Sequence, residues 1–285
     1  MKICLACNWR FEGGNWHCPK CKHSPHFQNA YPVFAPDLTQ DDSFYPEHKY
    51  AKLFEIEANN FWFKSRNQLL IWALTRHYSN IENFLEIGCG TGFVIAGIQQ
   101  AFPKVTLSAS DVLTTGLTYA KQRLPNVSFF QMDARSIPFE AEFDLIGAFD
   151  VLEHIEEDEL VLSQMFQATK SGGGIVLTVP QHPSLWSARD DYGHHKRRYT
   201  RAELVSKVEG SGFEILRTTS FVSLLLPLLF LSRRKQHQPE DNPAFGINLF
   251  LNTCLEKILD MERGFIRCGL SFPAGGSLLL VAQHP

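Results

Sequence analysis

The chain lacks any apolar run of about 18 residues, which excludes an ordinary membrane-spanning helix. Its first residues, MKICLACNWR, contain no apolar signal core, so a cytoplasmic location is expected. It also lacks a marked excess of charge: 27 Lys and Arg face 30 Asp and Glu, a net charge of -3. Composition therefore gives no reason to expect general electrostatic binding of nucleic acid. There is no internal repeat and no low-complexity tract. The seven cysteines are an odd number in a chain without an export signal, which argues against a disulfide framework. What remains is ordinary for a globular protein, with 44% hydrophobic and 20% charged residues. A length of 285 residues is enough for one large domain with a core plus a small one.

Four of the cysteines crowd into the first 21 residues as Cys4-x-x-Cys7 and Cys18-x-x-Cys21, separated by ten residues, with Gly13 and Gly14 to turn the chain between them. Two such knuckles converging on one ion give the tetrahedral thiolate site of a zinc ribbon. With all four positions filled by protein, the zinc is expected to be structural, and to supply folding energy that so short a segment cannot. Iron in a rubredoxin-type site is the rival ion, and a redox dithiol is a further alternative. Such a ribbon can dock a protein partner, shape the substrate mouth or only cap the fold. Residues 1–25 are assigned to this module and the Pro-rich, polar segment 26–49 to a linker or extended wrapping segment. Residues 50–285 form the main domain. From Tyr50 to about Tyr78, apolar residues recur at helical spacing.

From residue 83 short apolar runs alternate with helical patterns, which predicts βαβ units and a parallel sheet. Within FLEIGCGTGF an apolar strand ends in Glu86, and glycines follow at 88, 90 and 92 before a helix. Glycines let the backbone turn sharply and a ligand approach closely, and ligands of open α/β sheets bind at the carboxyl ends of the strands. A dinucleotide loop would read G-x-G-x-x-G, whereas the residue after Gly92 is Phe93, so the loop suits a ligand without a pyrophosphate. Asp111 ends the next strand and can accept ribose hydroxyls or cap the helix that follows. Asp133 ends the third and can accept an adenine amino group or serve as a turn residue.

The series LEIGCGTG, SASD, QMDA, FDLIGAFDVLEHI and GGGIVLTVP resembles the class I S-adenosylmethionine-dependent methyltransferases over residues 83–215, nearest the group that includes quinone-biosynthesis and small-molecule methyltransferases. The resemblance implies that Glu86, Gly88, Cys89, Gly90 and Gly92 surround the methionine part of S-adenosylmethionine. Asp111, with Val112 beside it, would hold the ribose, and Met132, Asp133 and Ala134 would flank the adenine. Phe149 and Asp150 would line the sulfonium and substrate side. In that family a helix before the core often lies over the cofactor. Trp62, Phe63 and Arg66 can close the pocket here, with Arg66 facing a carboxylate and counted as a substrate contact, or can be packing and solvated residues. A resembling branch carries an HxRRYT segment, matched by the basic stretch DDYGHHKRRYT, which suggests a substrate or anion contact at His195, Arg198 and Tyr199. Thr200 with Glu203 also fits a capping box.

His154, after the fourth strand, is a candidate base for the methyl acceptor or a helix-end residue with no chemistry, and His195 and Tyr199 are counted with it as catalytic candidates. The run FVSLLLPLLFL, followed by Arg233, Arg234 and Lys235, is too short to span a bilayer. It suits a core helix or a lid over an apolar substrate, and less well a peripheral membrane contact through 221–235. A helical insertion is expected over about 221–264, and GGSLLLVAQ reads as the last strand.

The expected fold is a Rossmann-like, seven-stranded, mostly parallel α/β sheet with helices on both faces, plus the small N-terminal zinc ribbon. The expected activity is methyl transfer from S-adenosylmethionine to a small-molecule or lipid-like acceptor. One alternative is a non-catalytic binder of the cofactor that docks a partner. Another is a nucleic-acid methyltransferase guided by the ribbon, opposed by the acidic balance and by FDVL where an N/D-P-P-Y/F tetrapeptide would stand.

Overall fold

The computed structural model describes residues 1–39, 46–234 and 247–285. Two short strands, β1 (Lys2–Ile3) and β2 (Arg10–Phe11), form an N-terminal hairpin. The main sheet is made of β3 (His26–Gln28), β4 (Tyr31–Val33), β5 (Asn83–Ile87), β6 (Thr106–Asp111), β7 (Ser128–Gln131), β8 (Phe143–Phe149), β9 (Thr169–Pro180), β10 (Glu214–Phe221) and β11 (Ser277–Gln283). The helices are α1 (Glu47–Ile56), α2 (Phe61–His77), α3 (Phe93–Ala101), α4 (Thr114–Arg123), α5 (Asp158–Ala168), α6 (Ala188–Tyr192), α7 (Arg201–Gly210), α8 (Leu226–Arg234) and α9 (Leu249–Arg267).

The strands lie in the order β10-β11-β9-β8-β5-β6-β7-β4-β3. The expected seven-stranded, mostly parallel sheet is present, with β11 antiparallel to both its neighbours. It is extended to nine strands by the β3–β4 hairpin, whose second strand pairs parallel with β7. Residues 26–33, part of the segment read as a linker or an extended wrapping segment, form an edge hairpin. The fully buried Gln131 explains why: its side chain donates to Ala35 O at 2.8 Å and accepts from Ala35 N at 2.9 Å, fastening this segment to the sheet.

Strands buried on both faces read as near-continuous apolar runs, and side chains alternate between the faces. In β5, Leu85 and Ile87 face the core formed with α5 and α7 residues such as Val161 and Leu204. Phe84 faces the other core, with Leu70 of α2, Ile95 of α3 and Leu117 of α4. The order of connections reverses between β5 and β8, with β6 on one flank of β5 and β8 on the other. This switch point opens a crevice at the carboxyl ends of those two strands.

The expected helical insertion corresponds to α8 and α9 between β10 and β11. α9 is bound to α2 by a Lys64–Glu256 ion pair at 2.6 Å and by Asn252, which accepts from Phe61 N at 2.9 Å. Glu262 on α9 accepts from the backbone N–H groups of Ser223 and Leu224, each at 2.8 Å, just before α8. Lys235 and the side chains of Arg233 and Arg234, the basic end of the suggested membrane contact, lie outside the described residues. No described helix is long and apolar enough to cross a membrane.

Candidate active site

The turn from β5 into α3 uses left-handed backbone at all three glycines, with φ of +69° at Gly88, +51° at Gly90 and +75° at Gly92. They meet different surroundings. A Cβ on Gly88 would stand 2.4 Å from Val151 Cγ2, and one on Gly92 would stand 3.0 Å from Ala120 Cβ. A Cβ on Gly90 would meet nothing within 4 Å. Gly88 and Gly92 are therefore needed for packing, and Gly90 leaves room above the turn.

Glu86 is 2% exposed and its Oε2 has no hydrogen-bond partner among the described residues. Burial pushes its carboxyl up to about 8, against the pull of the nearby Arg66. The backbone N–H of Ile95 serves the carboxylate, but a buried carboxylate oxygen left without a partner is costly, so Oε2 suits a cationic ligand group. The turn itself is held from two sides. Asp111 accepts from Gly90 N at 2.8 Å and from Leu113 N at 2.9 Å. Thr91 donates to the 1%-exposed carboxylate of Glu57, at the end of α1, and Arg123 of α4 pairs with that carboxylate at 2.5 Å and donates to Thr91 O at 3.0 Å. The sequence reading missed Glu57 and Arg123, which carry no local motif.

A cavity of about 850 Å³ starts at this turn. Glu86, Gly88, Cys89, Gly90, Phe149 and Asp150 all line it, together with Arg66. Arg66, read as facing a carboxylate and as a substrate contact, lines the cavity, ion-pairs with the Asp150 carboxylate and stacks over Trp62 with 4.4 Å from Cζ to the ring centroid. Gly92, Asp111, Val112, Met132, Asp133 and Ala134 are not in the cavity wall. Both Asp133 oxygens bond to Arg135, at 2.9 to 3.1 Å. Val112 O accepts from Gln131 Nε2 at 2.9 Å, and Met132 and Ala134 belong to the hydrophobic core.

The far end of the cavity is formed by the turn after β8 and by the 187–198 segment. Lys196 N donates to Glu153 O at 2.6 Å, which joins the two. Glu153, His154, His195 and Arg198 line the wall there. Glu153 is 1% exposed, its Oε2 has no hydrogen-bond partner among the described residues, and burial raises its pKa well above the usual carboxylate range. His154 is pushed down to about 3, first by burial and then by His195, whose ring centroid is 4.8 Å away. It is therefore a neutral imidazole at ordinary pH.

Asp190 organises this end and was missed. Its Oδ1 accepts from His195 Nδ1 at 3.0 Å and from Arg198 Nε at 2.7 Å, while its Oδ2 accepts from Ser187 N at 2.9 Å. The available signal was the spacing Ser187-x-x-Asp190, a capping box. Arg198, expected at a substrate or anion, is spent on Asp190 and on Gln181 O at 3.1 Å. Tyr199, expected to be catalytic, is fully buried outside the cavity wall, with its hydroxyl donating to Asp158 Oδ2 at 2.7 Å. Its neighbour Thr200 caps α7, accepting from Glu203 N at 3.1 Å. Leu225, Leu228 and Leu229 from the α8 region and Leu251 and Leu255 from α9 complete an apolar side of the cavity.

At the N-terminus the four cysteine sulfurs lie within 4.8 Å of one another, with Cys4–Cys21 at 3.5 Å and Cys7–Cys18 at 3.7 Å. Tetrahedral zinc with bonds of about 2.3 Å needs sulfurs about 3.8 Å apart, so the four side chains fit such an ion. Trp16, between the knuckles, packs edge-on against Phe34, Phe130 and Phe139 at centroid distances of 4.7, 6.1 and 5.4 Å. The cysteine module is thereby part of the hydrophobic core on the α5 and α7 face of the sheet.

Residues 84–173 match the family described as a methyltransferase domain. A Mycolicibacterium smegmatis protein named a probable S-adenosylmethionine-dependent methyltransferase is 26% identical over 163 residues, which cover 56% of this chain and 62% of that one. The chain thus spans less than two thirds of that curated relative. Among solved structures, Haemonchus contortus phosphoethanolamine N-methyltransferase 2 in complex with S-adenosyl-L-methionine aligns with a TM-score of 0.59 and 19% identity, over 91% of this chain and 61% of that one. The [4+2]-cyclase SpnF aligns with a TM-score of 0.54 and 18% identity, over 79% of this chain and 83% of that one. The fold is the Rossmann-like fold of methyltransferases, and the sequence is related to S-adenosylmethionine-dependent members.

Proposed function

We propose that this chain is an S-adenosylmethionine-dependent methyltransferase whose acceptor is an amphipathic small molecule with an apolar body. The observation that carries the reading is the buried, unpartnered Glu86 oxygen beside a glycine turn with open space at Gly90. S-adenosylmethionine supplies a methyl group made electrophilic by its sulfonium. Glu86 would take the ammonium of the methionine part, and the Gly88–Gly92 turn would let the ligand approach the backbone. Asp111 holds the turn through Gly90 N and has lone pairs left for the ribose hydroxyls. Fixing two reactants in one cavity replaces a bimolecular encounter by an oriented one, and about 850 Å³ is room for a donor with an acceptor. The Arg66–Asp150 pair, beside the Gly88 turn, fixes the wall between the two ends. The leucines of α8 and α9 would cover the acceptor's apolar part and exclude water from it. We further propose that the four cysteines hold one structural zinc, and that this ribbon caps the core through Trp16.

Calorimetric titration with S-adenosylmethionine and S-adenosylhomocysteine tests the reading, on protein expected to carry one zinc per chain. Micromolar binding of both is the expected result, and no binding to the folded protein removes it. The cyclase on the same fold motivates a second reading, a cofactor-binding protein that transfers no methyl group. Release of S-adenosylhomocysteine in the presence of hydroxylated amphipathic acceptors excludes that second reading.

A further inference from the structure

The acceptor end contains a group of side chains that methyl transfer alone does not explain. Glu153, His154 and His195 each offer a ligand atom, and these atoms lie within 4.8 Å of one another. All three line the same cavity. They come from two separate segments, joined by the Lys196 N to Glu153 O hydrogen bond.

We propose that Glu153, His154 and His195 bind one divalent metal ion, which holds a hydroxyl oxygen of the acceptor. The observations are those of a prepared site. His195 gives Nδ1 to the buried Asp190 carboxylate, which fixes its tautomer and presents Nε2 as the ligand atom. Carboxylates placed behind histidines in this way recur in metal sites. His154 is oriented by the backbone of the Gly193–His194 turn. Glu153 is 1% exposed with one oxygen unpartnered, and a buried carboxylate in that state calls for a cation. Arg198 and Arg66, the cations whose charge reaches Glu153, are already held, Arg198 by Asp190 and Gln181 and Arg66 by Asp150.

Two imidazoles and one carboxylate suit manganese, iron or zinc, and leave coordination positions open. A hydroxyl bound there has its pKa lowered, as water bound to a metal ion does. Its proton leaves to solvent past His195, whose side chain keeps 19% of its surface exposed. The ion changes no oxidation state. The role of the ion rests on the methyltransferase reading and narrows the acceptor to an oxygen nucleophile. Binding of the ion does not rest on that reading.

The test is titration of the zinc-loaded protein, dialysed free of other metal ions, with Mn²⁺, following free Mn²⁺ by electron paramagnetic resonance, in the presence and absence of S-adenosylhomocysteine. Mn²⁺ is used because thiolates prefer zinc, so the ribbon does not compete. One bound Mn²⁺ per chain is expected, weakened at least tenfold by Glu153→Gln and by His195→Gln. Glu153→Gln is nearly isosteric, and its melting temperature and affinity for S-adenosylhomocysteine should stay near wild type. Absence of Mn²⁺ binding by folded wild-type protein overturns the proposal and leaves His195 with Asp190 as a simple base. Binding that is unchanged in both variants overturns it too. Failure to bind S-adenosylhomocysteine would instead refute the methyltransferase reading and leave the Mn²⁺ result to stand by itself.

Discussion

The two ends of the cavity are built in different ways. The donor end is one continuous turn, residues 86–92, fixed by the sheet on one side and by Asp111 and Thr91 on the other. The acceptor end is assembled from the turn after β8, the 187–198 segment and the helices α8 and α9. A site on one βα turn constrains neighbouring residues and leaves a pattern in the chain. A site gathered from distant segments constrains residues that have no sequence relation. The donor end should therefore respond to single glycine changes in a graded way that separates packing from binding.

The largest effect is expected at Gly88. Gly88→Ala adds a left-handed penalty of about 1–2 kcal/mol and an overpacking cost of about 1–3 kcal/mol against Val151. For a chain of this size that lowers the melting temperature by about 3–8 °C. Gly90→Ala meets no atom within 4 Å, so only the backbone penalty of about 1–2 kcal/mol applies. Its methyl group stands where the ligand approaches, and S-adenosylhomocysteine affinity should fall at least tenfold. Melting curves with and without ligand measure both. Equal stability losses with unchanged affinity at Gly90 would show that the open space there is not a ligand site.

Glu86 gives the next effect, and it depends on pH. Its folded carboxyl is raised to about 8, so its contribution to stability is present below the ordinary value near 4.5 and is lost as pH rises through 8. A bound ammonium favours the carboxylate and reverses the preference. Binding between pH 6 and 7.5 should therefore release close to one proton, and affinity should climb with pH across that window. Glu86→Gln should abolish the release and weaken binding about ten- to hundredfold, from the loss of a charge-assisted hydrogen bond of about 1.5–3 kcal/mol. Calorimetry in buffers of different ionisation enthalpy reads the proton directly. Proton release that survives in Glu86→Gln would place the ammonium elsewhere.

The alternation of strands and helices from residue 83 and the glycine turn were legible because local periodicity and backbone need coincide there. The β3–β4 hairpin was not, because Pro32 reads against a strand and the tie that makes one comes from Gln131, about 100 residues later. His154 was visible in DVLEHI, but Glu153 beside it carries no motif of its own, its neighbour His195 is about 40 residues away, and Asp190, which orients His195, was not singled out at all. Tyr199 stood in a basic run that suggested a ligand contact, whereas its hydroxyl serves Asp158 inside the core. Side chains at strand ends were read by position alone, and position does not say whether an oxygen is already used.

Asp133 turns that last point into the smallest prediction. The sequence places it at the end of β7, where an adenine amino group would need an acceptor. In the structure both its oxygens are engaged by Arg135, with the two side chains 21% and 34% exposed. An ion pair so open to solvent contributes about 0.2–1 kcal/mol. Asp133→Ala should therefore cost less than about 1 kcal/mol of stability. It should change S-adenosylhomocysteine affinity less than threefold. A loss above tenfold with the fold intact would mean that the ligand displaces Arg135 and takes Asp133 for itself. The donor end would then extend to β7 in the bound state, and the contrast between a preformed donor end and an assembled acceptor end would hold only as far as Asp111.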